Sequence, residues 1–556
     1  MWPRSPRIVY EAATPASRPR RRARHGCDAA ALSCYCSSPR GRALPTDPHR
    51  EFRRLQERLP ELWREIESGD GVHTSVVVPS LSFRQDELAK ITAAPFYEER
   101  LLFTLMRLRD PRARVLYLTS QPIHPQIVDY YLQLLVGVPA GHARDRLLLL
   151  CAYDASPRSL TEKLLERPRL LARIRRWVGD PGQAYLTCFM ATAAERQLAL
   201  ELGIPLNGAD PDHLWIGTKS GSRRIFATAE VGMPEGTEGV HSEDDVLDAL
   251  ERLARTAAPE RAMIKLDDCF SGTGNAVLEL PRPAADGKRY RRELAAALRA
   301  MRWSVAGESW SAFSAKLEAM GGVVEELVEA PEIESPSVQL RITPLGELQV
   351  ISTHDQVLGG ELGQMYQGCR FPADVRYRGL IEGLARRVGT VLAEHGVVSR
   401  FGVDFLAHPT ESGDWRALGV EINLRMGGTT PPFLALQFLT GGETDADGEF
   451  RAATGARKYY RATDSLSSPS YRGLLADDLI DILGQHTLSF RPQTETGVLF
   501  HMIGALSQHG KVGVTCIGDS REEADALFER TREVLDAETG GEAATEMPLV
   551  DVVQME

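Results

Sequence analysis

Cysteine is scarce in this sequence of 556 residues, and its eight cysteines form neither a C-x-x-C pair nor a zinc-like cluster with histidine. That pattern argues against a disulfide framework and favours a reducing compartment. No apolar run approaches the ~20 residues needed to span a bilayer. The net charge of −11 argues against a general nucleic-acid binder. We therefore expect a cytoplasmic protein with no membrane segment and no nucleic-acid partner.

Acidic residues are rare in the first fifty positions, which carry ten arginines against Glu11, Asp28 and Asp47. This start lacks the continuous apolar segment of a secretory signal. Its Arg- and Ser-rich composition resembles a transit peptide, although a disordered extension or an upstream start codon is the simpler interpretation. We expect residues 1–50 to be a disordered basic extension and folded structure to begin near Phe52.

A dinucleotide fingerprint is also missing, because no G-x-G-x-x-G follows the first predicted strand. Strand-length apolar runs at 74–79, 114–119, 147–151 and 184–189 alternate with polar or helical sequence. Such alternation is typical of an open α/β sheet. We predict a Rossmann-like domain over 51–212 that helps to hold a substrate.

The stretch 399–432 carries the most informative pattern in the chain. Two apolar runs, 401–407 and 415–422, flank a polar turn and predict a β-hairpin. Asp404 lies in the first strand, and the strand period of two places Glu421 and Asn423 on one face of the second. Three oxygen ligands on facing strands suit Mg²⁺. The alternative is a surface hairpin with solvated acids, and the following segments favour the metal site.

A lysine lies inside a second apolar run, 262–266. A buried Lys265 needs an anionic partner to stay charged. The glycine-rich segment 271–275 follows at once, and its backbone N–H groups can cradle phosphate oxygens. In the run 323–328, Glu325 and Glu326 face opposite ways, so one of them is expected to meet an interior partner such as an adenine amino group.

The remaining predicted elements lie beyond that run. A second hairpin is predicted over 338–352, a Gly-rich polar segment over 359–371 and an amphipathic helix ending near His395. Residues 441–470 are polar and Gly/Ser-rich, which predicts a mobile loop. Two strands near 498–503 and 511–517 and a helix over 520–535 predict a small α/β appendix.

The order of these parts resembles the ATP-grasp carboxylate–amine ligases, and most of all the pheganomycin-type peptide ligases. The narrower resemblance is carried by 265–275 (KLDDCFSGTGN), 352–356 (STHDQ), 363–371 (GQMYQGCRF) and 421–430 (EINLRMGGTT). It implies α/β and α+β architecture: a Rossmann-like pre-ATP-grasp domain, a two-lobed ATP-grasp fold and a small C-terminal α/β domain. The implied boundaries are 51–212 for the first domain, 213–328 and 329–490 for the two lobes, and 491–556 for the last domain.

The resemblance also implies ATP and Mg²⁺ as cofactors, with Mn²⁺ as an alternative ion. The ATP-binding residues would be Lys219, Lys265, Ser271, Gly272, Thr273, Gly274, Asn275, Glu325, Glu326, Leu327, Val328 and Glu332. The metal ligands would be Asp404, Glu421 and Asn423. Arg425, with Arg341, would stabilise an oxyanion. Two alternatives stay open, because Lys219 could be a surface lysine and Glu332 could belong to an acidic loop. Gly402 stands where many such ligases have arginine, and Arg400 lies two residues further back.

The implied reaction transfers the γ-phosphate of ATP to a carboxylate, and an amine then attacks the acylphosphate to release phosphate. The substrates would be an amino-acid-like acid and the amine of an amino acid or peptide, in specialised metabolism. One alternative is a catalytically silent ATP-binding regulatory protein with the same fold, and another is a ligase that forms an adenylate and AMP. Homodimers are common among similar enzymes, so the resemblance also suggests a homodimer.

Overall fold

The computed structural model describes residues 47–69, 71–84, 88, 91, 93–269, 272–305, 307–360, 362–445, 447–540 and 545–546. Most of the predicted basic extension and Ser271 therefore lie outside the described residues. The first helix, Pro48–Gln56, begins earlier than the expected Phe52 because Asp47 accepts hydrogen bonds from the next backbone N–H groups. Within the described ranges, no helix is both long and apolar enough to cross a bilayer.

The first sheet has five parallel strands, as predicted for an open α/β domain. Its strands, in spatial order, are Leu147–Cys151, Ala113–Thr119, His73–Val78, Ala184–Cys188 and Leu206–Asn207. The sheet is covered by the helices Pro48–Gln56, Leu59–Ser68, Pro125–Gln133, Ala140–Arg144, Leu160–Leu165, Pro168–Val178 and Ala193–Leu202, with 3₁₀ segments at Ala94–Arg109 and Pro181–Gln183. The residues of His73–Val78 are buried throughout, as expected for a central parallel strand.

The second sheet has five strands, and each neighbouring pair is antiparallel. Their spatial order is Gly236–Val240, Gly322–Glu326, Arg261–Leu266, Asn275–Glu279 and Arg302–Trp303. The helices of this region are Lys219–Thr228, Glu243–Thr256, Gly287–Arg299 and Trp310–Met320, preceded by a 3₁₀ segment at Pro211–Gly217. The predicted Lys265 strand is therefore the central strand of this sheet.

The third sheet is the largest and carries the predicted metal hairpin. Its strands, in spatial order, are Trp415–Asn423, Ser399–Pro409, Pro336–Ile342, Leu348–Gly359, Met365–Phe371, Tyr459–Ser467, Lys511–Gly518 and Gly497–His501, with Thr545–Glu546 beside Tyr459–Ser467 and a separate ribbon of Glu443–Thr444 with Phe450–Arg451. The helices here are Val375–Glu394, Thr430–Thr440, Ala476–Gln485, Leu506–His509 and Arg521–Thr539, with 3₁₀ segments at Pro469–Gly473 and Ile503–Ala505.

One expectation from the sequence is wrong in this sheet. The polar segment 359–371, for which no element was predicted, contains the strand Met365–Phe371, and the loop expected over 441–470 is contradicted by the strand Tyr459–Ser467. The second strand was missed because its polar side chains are buried and held by distant partners, such as Arg100 for Asp464. Through this strand, the C-terminal strands join the sheet of the hairpin. The domain boundaries themselves stay a prediction.

Candidate active site

The hairpin brings the three predicted metal ligands together. Asp404 lies directly opposite Glu421, and Asn423 donates from Nδ2 to Asp404 Oδ2 at 2.8 Å. All three side chains line a cavity of about 160 Å³. Burial, and then the charge of Glu421, raises the pKa of Asp404 to about 7. A divalent cation between the two carboxylates would offset both effects, so this donor set fits Mg²⁺.

The protein supplies only part of the coordination that Mg²⁺ requires. No cluster of three or more His, Cys, Asp or Glu side chains suited to a metal occurs in the described part of the chain. The hairpin offers two carboxylates and one amide oxygen. This number suffices, because Mg²⁺ in phosphoryl-transfer sites takes its other ligands from substrate phosphates and water.

Lys219 extends toward the same carboxylates from the start of the helix Lys219–Thr228. Its Nζ lies 3.0 Å from Glu421 Oε1 and donates to the carbonyl oxygen of Cys269 at 2.8 Å. Burial opposes its charge, but Glu421 outweighs this effect and the pKa of Lys219 is raised. The alternative of a surface lysine is excluded, because Lys219 is buried.

Lys265 has the buried anionic partner that its position demands. Its Nζ lies 2.6 Å from Glu325 Oε2, and Arg223 donates to Glu325 Oε1 at 2.9 Å. Burial alone would raise the pKa of Glu325, but these two cations lower it. The interior partner of Glu325 in this structure is therefore a pair of cations, and its role toward adenine stays a prediction. Arg223 was missed, although it lies four residues after Lys219 on the same helix face.

The glycine loop approaches the metal cavity from the second sheet. Gly272 lines that cavity and has a φ of +75°, which favours glycine. A Cβ atom at Gly272 would lie 2.9 Å from the carbonyl oxygen of Gln364. Asn275, in the adjoining strand, donates to Gln364 Oε1 at 2.9 Å. Thr273 and Gly274 lie between them, in the same turn.

The predicted hinge borders a separate cavity of about 300 Å³. Leu327 and Val328 line it, and Gln364 lines both this cavity and the metal cavity. The backbone N–H of Leu327 donates to the carbonyl oxygen of Arg261, while Glu326 pairs by its backbone with Glu235. The predicted hinge therefore borders a cavity that Gln364 shares with the metal cavity, and its role toward adenine stays a prediction.

Two predicted residues lie away from the metal pair. Glu332 is exposed and forms an ion pair with Arg376 at 2.7 Å. Arg341 lines a larger neighbouring cavity of about 470 Å³, where its Nε donates to Gln349 Oε1 at 3.0 Å. Arg425 lines both this cavity and the metal cavity, so it is the better placed of the two predicted oxyanion residues.

Residues from outside the predicted motifs also reach the metal cavity. Arg100 and Tyr97 come from the segment Ala94–Arg109, and Asp464 comes from the overlooked strand. Arg100 forms a buried ion pair with Asp464. The sequence offers no local signal for this pair, because its members are separated by 364 positions.

Comparison with known proteins finds similarity along most of this chain. The family profile "IQCH-like, ATP-grasp" matches residues 213–288 and 287–447, and the profile "PGM1 C-terminal domain" matches residues 478–531. L-propargylglycine–L-glutamate ligase from Streptantibioticus cattleyicolor is 33% identical over 474 residues, which cover 83% of this chain and 94% of that protein. IQ motif-containing protein H from Danio rerio is 24% identical over 399 residues, which cover 64% of this chain and 37% of that protein.

Solved structures show the same fold. Biotin carboxylase from Campylobacter jejuni superposes with a TM-score of 0.51 at 12% identity, covering 84% of this chain and 92% of that one. The biotin carboxylase domain of Hydrogenobacter thermophilus 2-oxoglutarate carboxylase gives a TM-score of 0.50 at 11% identity, with coverages of 83% and 89%. With the curated ligase matched along nearly its whole length, this chain belongs to the ATP-grasp family of ATP-dependent carboxylate–amine ligases.

Proposed function

We propose that the protein forms an amide bond between an amino-acid-like carboxylate and the amine of an amino acid or peptide, with release of ADP and phosphate. The observation that carries this proposal is the half-buried pair Asp404 and Glu421, held face to face beside Lys219. The curated ligase, whose name contains two amino acids, supports amino acids as the substrate class.

Each group near the pair has a proposed task. Asp404, Glu421 and Asn423 would hold Mg²⁺, which supplies charge neutralisation for the phosphates. Lys219 and Lys265 would bind the α- and β-phosphates, and the Gly272 turn would approach the β- and γ-phosphates with its backbone N–H groups. Both lysines face carboxylates in this structure, Lys219 that of Glu421 and Lys265 that of Glu325.

The remaining roles concern the adenine ring and the reacting carboxyl group. Leu327 and Val328 border the cavity proposed for adenine, beside Glu326. Arg425 lies between the metal cavity and the larger cavity, so its guanidinium is proposed to stabilise the oxyanion formed when the amine attacks the acylphosphate. Arg341 lines the larger cavity but not the metal cavity.

The test is analysis of the nucleotide product with ATP, Mg²⁺ and pools of amino acids and short peptides. ADP and phosphate that appear only with an acid and increase with an amine would support the proposal. AMP as the product would replace the acylphosphate route with an adenylate. Tight ATP binding without turnover in any pool would favour the catalytically silent alternative.

We further propose that the protein acts in the cytoplasm as a homodimer. The described cysteines Cys151, Cys188, Cys269, Cys369 and Cys516 form no disulfide with one another, which suits a reducing compartment. Light scattering of the purified protein would measure the assembly, and a monomeric mass at micromolar concentration would contradict the dimer.

A further inference from the structure

The larger cavity lies next to the metal cavity and is built from three parts of the chain. Trp63 and Tyr185 come from the first domain, Arg341 and Arg400 from the third sheet, and Phe438 from the helix Thr430–Thr440. Its volume of about 470 Å³ lies within the range of small-molecule sites. Because Phe189 and Arg425 line both cavities, a ligand in the larger one can reach the reaction centre.

Five arginines line this cavity, and three of them, Arg107, Arg341 and Arg400, form no salt bridge with a described residue. The charges of Glu67 and Glu347 act on Arg341 only from beyond salt-bridge distance. Arg107 donates to Ser75 Oγ at 2.9 Å and to the Tyr185 hydroxyl at 2.8 Å, and Arg341 donates to the Gln349 amide oxygen. These acceptors are neutral. Asp110 is an acid in the same lining, but its carboxylate is held by Arg112 at 3.0 Å. The cavity therefore carries excess positive charge.

The register of the sheet places two of these charges face to face. Arg341 lies directly opposite Arg400 on neighbouring antiparallel strands. Like charges in such a pair destabilise a sheet. Burial, together with Arg341 and Arg107, lowers the pKa of Arg400 to about 9. An anion bound between the guanidinium groups would remove this repulsion.

Aromatic rings contact two of the three arginines Arg107, Arg341 and Arg400. The guanidinium of Arg341 lies 5.0 Å from the centre of the Trp63 ring, and that of Arg107 lies 5.8 Å from the Tyr185 ring. These contacts orient the guanidinium groups but do not neutralise them. The nucleotide is not the missing anion, because the proposed phosphate-binding lysines, Lys219 and Lys265, do not line this cavity.

We propose that this cavity selects an amine substrate with two carboxylates, which Arg107, Arg341 and Arg400 bind while the apolar wall packs against its carbon chain. This inference rests on the proposed ligase function and names its substrate class. The carboxylates of an amine substrate do not react and stay ionised, so they need permanent cations. Three arginines exceed what a single carboxylate requires, whereas two carboxylates can each accept bidentate hydrogen bonds.

The first experiment compares amine substrates with matched shapes. ADP release is measured with a pool of acids, using L-glutamate and L-aspartate against L-glutamine and L-asparagine as amines. We expect kcat/KM to be roughly 10- to 100-fold higher for the dicarboxylic amines, since hydrogen bonds to charged groups carry that discrimination. Equal rates for acids and amides would overturn the cavity proposal while leaving the ligase function intact.

The second experiment measures binding without turnover. Calorimetric titration of L-glutamate into the protein with ADP and Mg²⁺ is compared for the wild type, Arg400→Met, Arg400→Lys and the exposed control Arg386→Gln. We expect Arg400→Met to weaken binding by roughly 10- to 100-fold, Arg400→Lys to restore part of it, and Arg386→Gln to leave it unchanged. Unchanged binding by Arg400→Met would overturn the proposal. So would inorganic phosphate that displaces L-glutamate at equal concentration, because the cluster would then be a phosphate site.

The two proposals fail in different ways. Binding of L-glutamate that depends on Arg400, without ADP release from any acid–amine pair, would sustain the cavity and refute the ligase reaction. The thermal midpoint of the ligand-free protein gives an independent check on folding. Arg400→Met should raise this midpoint, because it removes a like-charge contact, whereas a lower midpoint would contradict the repulsion on which the inference depends.

Discussion

Replacement of Glu421 by Gln tests the metal site most directly. Glu421 lies opposite Asp404, and its Oε1 is 3.0 Å from the ammonium group of Lys219. The amide keeps the size and shape of the side chain but removes one of the two carboxylates proposed to bind Mg²⁺. The substitution therefore changes the charge at the site with little change in packing.

The expected effect of the Glu421→Gln substitution follows from two consequences of losing this charge. Metal-ion catalysis provides several kcal/mol of transition-state stabilisation, and a loss of about 4 kcal/mol slows the reaction about 1000-fold. The same substitution releases Lys219 from its carboxylate, so the ammonium group becomes available to nucleotide phosphates. We therefore expect Glu421→Gln to lose turnover but to retain affinity for ADP in the absence of Mg²⁺.

The assay follows ADP release against Mg²⁺ concentration, together with titration of ADP in the presence of EDTA. Glu411→Gln is the matched control, because Glu411 is exposed at the turn of the same hairpin and the substitution changes the charge equally. If Glu421→Gln stays within tenfold of the wild-type rate with an unchanged Mg²⁺ dependence, the assignment of the metal site is refuted.

Three further substitutions probe other parts of the fold and site. Glu325→Gln removes the anion between Arg223 and Lys265 and should cost about 3–5 kcal/mol of unfolding free energy in urea; a loss below about 1 kcal/mol would contradict the buried network. Gly272→Ala places a Cβ atom 2.9 Å from the carbonyl oxygen of Gln364, at a φ of +75° that favours glycine. We therefore expect weaker ATP binding in calorimetry and slower ADP release. Wild-type affinity for ATP would contradict the predicted role of the loop. Burial raises the pKa of Glu99 from 4.5 to about 7, so the folded state binds a proton that the unfolded state has released and stability falls as pH rises between these values. Glu99→Gln should remove this dependence and be up to ~3 kcal/mol more stable than the wild type at pH 8, but equal to it near pH 4.5; parallel pH profiles of urea unfolding would contradict this.

Local patterns were sufficient for the hairpin and for the strand of Lys265. Two apolar runs and the composition of the turn between them predicted both strands of the hairpin, and the structure places Asp404 opposite Glu421 as expected. The cost of an unpaired buried lysine predicted an anionic partner for Lys265. Its identity as Glu325, with Arg223 on the other side, depended on how two neighbouring strands and a helix pack together.

Polar segments were harder to interpret. The strand Tyr459–Ser467 reads as a loop because it carries Thr463, Asp464 and Ser465, which are buried in the structure. Burial of such groups is stable only with partners, and the partner of Asp464 is Arg100, far away in the sequence. Composition alone cannot reveal that compensation.

The sequence by itself determined the family pattern, the order of most elements and the proposed metal ligands of the hairpin, because these follow from periodicity and from the chemistry of neighbouring residues. Only the tertiary structure decided which distant groups meet. The cluster of Arg107, Arg341 and Arg400 combines a residue of the first domain with two residues on adjacent strands of the third sheet. No local pattern encodes such a meeting, since it depends on long-range packing that brings separate segments into one cavity.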